Sequence, residues 1–173
     1  RPVVSMISWL LVDKGVREYV QAAKIVRSSF PNVTFQLAGY IDKNPASISA
    51  EELKLWIKGG NIKYLGEVKL VQSILKSCRY YVLPSYREGT PRSTLEALST
   101  GRPVITTDVA GCRETVVHKK NGLLVPAKDS AALANAMITL LKETDKKTKR
   151  MAKESFLIAK NKYEINNINN NII

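Results

Sequence analysis

Strand-length apolar runs alternate with segments of helical period about six times along this chain, and that alternation confines it to one class of fold. Residues 3–8 form the first run. Residues 14–30 then place Val16, Tyr19, Val20, Ala23 and Val26 on one helical face. A second strand is predicted at 33–39. Ser49 opens the next helix with Glu52 three positions on, the spacing of a capping box. Strands follow at 62–66, 79–84, 103–107 and 122–126, with a short helix at 70–77 and another over 130–143 capped by Asp129. The lysine-rich stretch 142–153 predicts a solvated helix. Several strands are unbroken apolar runs, as strands are when both faces of a parallel sheet are covered. The expectation is an α/β fold: one doubly wound, Rossmann-like domain around a six-stranded parallel sheet.

Other totals narrow the function. A chain of 173 residues with 45% apolar content has material for one sizeable core. Its longest apolar stretch, residues 3–12, is short and holds serines, so no membrane span is expected. The chain opens directly on a strand-like run, with nothing resembling a signal peptide, as an excised piece of a longer protein would. Cys78 and Cys112 form neither a disulfide framework nor a metal-ligand spacing and read as inert reduced thiols, which implies a cytosolic location. The net charge of +12 is spread along the chain, and no stacking aromatics flank its densest run. That fits a solvated face, or one turned to an anionic membrane surface, better than a nucleic-acid interface. His118, the only histidine, lies in a surface-turn sequence without a nucleophile elbow. P-loop and dinucleotide fingerprints are absent. One histidine and no acidic cluster argue against a metal, so no cofactor or metal is expected.

One loop carries chemistry. "YREGTPRSTLE" (86–96) follows the fourth strand at its carboxyl end, where open α/β sheets bind ligands. Thr90 is expected to cap the next helix, with Pro91 in its first position. The N–H groups of Arg92, Ser93 and Thr94 then open an anion site, strengthened by the helix dipole, and Gly89 lets a ligand approach the backbone. Glu88 and Glu96 only accept hydrogen bonds, and a sugar diol offers two donors side by side. The pattern suits a ligand made of ribose, diphosphate and hexose. Alternatively, Glu88 complements the dipole and Glu96 pairs with Arg92 at i, i+4. Spacing alone leaves the two readings even.

The loop resembles the Glu-x7-Glu motif of retaining GT-B glycosyltransferases of family 4. "DKGVREYVQAA", "YLGEV", "VLPSYREGTPRSTLEALSTGRPVITTDVAGCRETV" and "NGLLVP" occur in that family's order and spacing, over most of residues 6–140. The likeness is strongest to enzymes of bacterial capsule, O-antigen and lipid-linked glycan assembly. It implies that Glu88 contacts the donor hexose, that Glu96 holds the ribose, and that the amides from Gly89 to Thr94 meet sugar and diphosphate. It also implies that Gly66 and Val68 receive the base and that Lys14 binds the diphosphate. Glu88 and Lys14 would be catalytic, the donor a UDP-hexose, and the reaction metal-independent.

The chain departs from that pattern at Trp9, where relatives commonly carry an arginine that neutralises phosphate; an indole supplies one N–H instead. GT-B enzymes pair two Rossmann-like domains. This chain resembles the C-terminal, donor-binding one, with residues 1–160 as the domain. Residues 161–173, striped by Ile165, Ile168 and Ile172, resemble the segment that crosses back to the N-terminal domain, its expected partner; disorder fits the tail equally well. The fragment alone is then expected to be inactive. A nucleotide-sugar binding module that has lost activity is the alternative, with Trp9 as its mark. The expected location is the cytoplasm, peripheral to the inner face of the plasma membrane.

Overall fold

The structure, a computed structural model, describes residues 1–164. Six parallel strands form one sheet: β1 (Val3–Ile7), β2 (Thr34–Ala38), β3 (Lys63–Gly66), β4 (Tyr80–Leu83), β5 (Val104–Thr107) and β6 (Gly122–Val125), ordered β3-β2-β1-β4-β5-β6. All six lie within a residue or two of the expected positions. Burial explains why they were legible. Every residue of β4 and β5 is buried, and the middle three of β1 are, whereas edge strand β3 has no fully buried residue.

Helices cover both faces. α1 (Val16–Ser29) packs against α5 (Ser130–Leu141), while α4 (Arg92–Ser99) packs with α3 (Val71–Ser77) and α6 (Asp145–Ile158). The chain proceeds from β1 toward β3 and from β4 toward β6, in opposite directions along the sheet. Right-handed crossovers therefore put α1 and α4 on opposite faces. The caps read from sequence are present. Ser49 Oγ accepts from Glu52 N at 3.1 Å to start α2 (Ala50–Gly59), and Asp129 Oδ1 accepts from Ala132 N at 2.8 Å.

Three expectations shift. The first helix begins at Val16, because Val12–Lys14 form a 3-10 turn that Gly15 ends in the left-handed region at φ 77°. Thr90 does not cap α4: Pro91 stays outside helical geometry (ψ 86°), and the helix starts at Arg92 with no side-chain cap. The expected solvated helix, α6, buries Met151 and Ser155, and Asn121 Nδ2 donates to Ser155 Oγ at 3.3 Å. Beyond α6, residues 159–164 continue as a π-helical turn in which Lys162 Nζ and Tyr163 OH both donate to Glu114 O. Ile165, Ile168 and Ile172 lie outside the described residues.

Candidate functional site

The strand order reverses between β1 and β4, and a crevice opens at their carboxyl ends, as it does in open parallel sheets generally. Two loops face each other across it: residues 8–15 after β1 and residues 84–91 after β4. Backbone contacts lock them. Tyr86 N donates to Asp13 O at 2.8 Å. A Cβ at Gly15 would overlap the Pro84 carbonyl, so only glycine allows this approach. On the other side Gly111, at φ 88°, presses on the same loop; a Cβ there would overlap the Glu88 carbonyl.

Between the loops Lys14 Nζ meets Glu88 Oε1 at 2.6 Å. Ser85, fully buried, donates to the same carboxylate oxygen at 2.8 Å, and its own carbonyl accepts from Thr107 Oγ1. Glu88 is therefore oriented from two sides, with its side chain only 8% exposed, against 24% for Lys14. The pair leaves Lys14 two further N–H donors and Glu88 its second oxygen.

The start of α4 supplies donors without charge. Among the described residues no partner takes the N–H groups of Arg92, Ser93 and Thr94; Leu95 N is the first to return to the helix, donating to Pro91 O at 3.0 Å. A buried phenol fixes this helix end: Tyr81 OH bonds both Ile7 O and Ser93 Oγ. Burial pushes that phenol far above its ordinary range, so it stays protonated. With its hydroxyl engaged, Ser93 offers the crevice its backbone rather than its side chain, and Thr94 is buried behind it.

A cleft of about 410 Å³ gathers most of the expected site residues: Lys14, Val68, Glu88, Thr90, Arg92, Ser93 and Glu96 all line it. Gly66, Gly89 and Thr94 do not. Gly66 instead accepts from Gly39 N at 2.8 Å, tying the ends of β2 and β3. Glu96 is exposed, and among the described residues it forms no ion pair with Arg92, nor does Glu88. The i, i+4 pairing of Glu96 with Arg92 in the alternative reading thus has no counterpart among the described residues. No cluster of three or more His, Cys, Asp or Glu among the described residues is placed to hold a metal ion.

Sequence reasoning missed several participants. Tyr40 and Glu67 line the cleft beside Trp9, yet each sits just past a strand in a segment that spacing marks only as a turn. Tyr86 was missed as well: its hydroxyl donates to Glu18 Oε2 on α1 at 2.7 Å, and Lys128 Nζ lies 5.0 Å above its ring. No short-range signal announces a partner 68 positions away. His118 is exposed, and its Nδ1 accepts from Leu124 N at 3.0 Å, which places it in a turn away from the cleft. Cys78 and Cys112 are free and buried, and burial raises the Cys78 thiol to about 11.

Comparison with known proteins adds to this geometry. Residues 1–143 match the family described as glycosyl transferases group 1. An N,N'-diacetylbacillosaminyl-diphospho-undecaprenol alpha-1,3-N-acetylgalactosaminyltransferase of Campylobacter jejuni is 34% identical over 155 residues, covering 90% of this chain and 39% of that enzyme. The capsular polysaccharide biosynthesis glycosyltransferase CapM of Staphylococcus aureus is 28% identical, covering 82% and 37%. The chain spans about two fifths of the length of these relatives. Among solved structures, HepE of Anabaena in complex with UDP superposes with a TM-score of 0.84 at 27% identity, over 98% of this chain and 47% of that one. TarM, at 21% identity and a TM-score of 0.82, shares the fold.

Proposed function

The chain belongs to the group 1 glycosyl transferases, and on that premise we propose that it is the donor-binding part of a retaining hexosyltransferase. The donor is a nucleotide diphosphate sugar, a UDP-sugar, and the acceptor a glycan or lipid-linked glycan of a bacterial surface polysaccharide. One observation carries this reading. A single cleft at the strand-order switch holds the Lys14–Glu88 pair, an uncapped helix start and Glu96 together. The chemistry of the relatives named above, and the UDP bound by the HepE structure, support the choice of donor.

Bond breaking between the anomeric carbon and the diphosphate leaves negative charge on the departing oxygen. Two sources of positive potential face it: the ammonium of Lys14 and the α4 helix start, where the N–H groups of Arg92 and Ser93 reach the cleft. The second source matters because the cleft is not itself cationic. Lys14 and Arg92 line it, but so do Glu67, Glu88 and Glu96. Charge stabilisation therefore rests on placement, and in this reading it needs no metal. Glu88, held by Lys14 and Ser85, offers its free oxygen to the hexose and opposes the positive charge that grows on the sugar ring. Glu96, one turn along α4, accepts from the ribose diol.

Calorimetric titration of UDP into the chain tests the reading, and saturable heat with one site is expected. Glu96→Ala removes a charged acceptor from the ribose and should weaken UDP binding roughly 10- to 100-fold, with no loss of folding because the side chain is exposed. Binding undiminished in Glu96→Ala would remove the ribose assignment, and no uptake of UDP at all would remove the proposal.

A further inference from the structure

We propose that Trp9 and Tyr40 form a preformed aromatic wall in the cleft, against which the flat face of the nucleoside's base packs. The inference deepens the nucleotide-sugar reading and rests on it. Trp9 is a large apolar side chain left 42% exposed, and Tyr40 beside it is 36% exposed, although both line a cavity. Their rings meet at 3.8 Å between centroids with planes tilted by 56°. Packing of the core does not account for this, since Leu10, the next residue, is fully buried while Trp9 is turned outward.

The wall is rigid. Backbone pairing of β1 with β2 continues past both strand ends, with Ser8 N donating to Ala38 O at 3.0 Å and Leu10 N to Tyr40 O at 3.2 Å. The Trp9 carbonyl accepts from Ser8 Oγ and Leu11 N, both at 2.9 Å. Little conformational freedom is then lost when a ligand packs on the rings.

Position selects the base over the hexose. β2 flanks β1 on the side opposite β4, so a Trp9 ring packed on Tyr40 leans away from the Lys14–Glu88 pair. Val68 and Val71, which follow β3 on that side of the sheet, line the same cleft. A donor whose hexose lies at Glu88 and whose diphosphate lies at the α4 start reaches this side with its nucleoside. An aromatic surface suits that group, because every base presents a π-face.

Trp56 is the only other tryptophan, so the chain carrying Trp56→Phe reports on Trp9 alone. UDP should quench this emission with the same midpoint as its calorimetric binding, while pyrophosphate, which takes the anion site but has no base, leaves the emission unchanged. Trp9→Ala should raise the Kd for UDP about 5- to 100-fold and leave the Kd for pyrophosphate within twofold. Trp9→Phe should recover most of the lost affinity. Equal UDP affinity in Trp9→Ala, or equal losses for UDP and pyrophosphate, overturns the aromatic wall and leaves the nucleotide-sugar reading standing. Failure of the unaltered chain to bind UDP overturns both.

Discussion

At Gly111 a single missing methyl group decides where Glu88 sits. The residue adopts φ 88°, and any Cβ would overlap the carbonyl of Glu88 while approaching that of Gly89 to 2.9 Å. Gly111→Ala combines left-handed strain with a backbone clash, so the loop must move. A destabilisation of about 1–3 kcal/mol is expected, and UDP affinity should fall with it. Urea unfolding and calorimetry measure the two effects, and an unchanged midpoint would show that the loop yields without cost. Sequence made the neighbouring parts of this site visible to different degrees. Glu88 and Glu96 stand out because carboxylates beside an anion-binding turn demand a reason. The ion pair between Lys14 and Glu88 does not, because it joins residues 74 positions apart. Thr90 was misread for a local reason. A threonine before proline carries the composition of a cap, but the non-helical Pro91 delays the helix by one residue, and no side chain caps it.

The elements that hold the site are two loops clasped to one another and to α1. Tyr86 is the clasp: its N–H binds Asp13 O, its hydroxyl binds Glu18, and its ring lies under Lys128. Glu18 Oε1 is buried and has no partner among the described residues, so the phenol supplies the one hydrogen bond described to this carboxylate. Tyr86→Phe keeps the ring and the cation–π contact but removes that donor. A loss of about 1–2 kcal/mol is expected, along with looser UDP binding. Burial, and then the Glu18 hydrogen bond, raise the phenol from 10.0 to about 12. The folded state therefore holds its proton where the unfolded chain releases it. The stabilising contribution is complete below pH 10 and disappears as pH rises toward 12. Denaturant titrations of both proteins across this range should show the wild-type advantage shrinking; a constant difference would remove Tyr86 from the account. Such element-level links were invisible in sequence because they depend on which strand ends the topology brings together. The strands themselves were legible because burial on both faces writes unbroken apolar runs.

Over the whole molecule, charge and function separate. The chain carries a net charge of +12, yet two cations and three carboxylates line the cleft. The excess lies elsewhere, much of it on the exposed lysines of α6. The backbone donors of Arg92, Ser93 and Thr94 were legible in the turn before α4, whereas the scattered positive charge gave no sign that more carboxylates than cations would line the cleft. The same cleft sets what this chain should do by itself. In the proposed reading its described lining is taken up by the base, ribose, diphosphate and hexose of a donor. The relatives that carry out transfer are more than twice as long. Catalysis of group transfer depends on holding both reactants in attack geometry, an effect that reaches about 7–11 kcal/mol. A chain that positions the donor alone forgoes most of it. The 173-residue chain should therefore bind UDP and a UDP-hexose but transfer no sugar to a polyprenyl-linked acceptor. The whole protein should transfer from one member of a UDP-sugar panel. Mass spectrometry of the acceptor after incubation decides the matter. Product formed by the chain alone would show that the acceptor needs no second wall, whereas binding without transfer by the whole protein would favour a nucleotide-sugar binder that has lost activity.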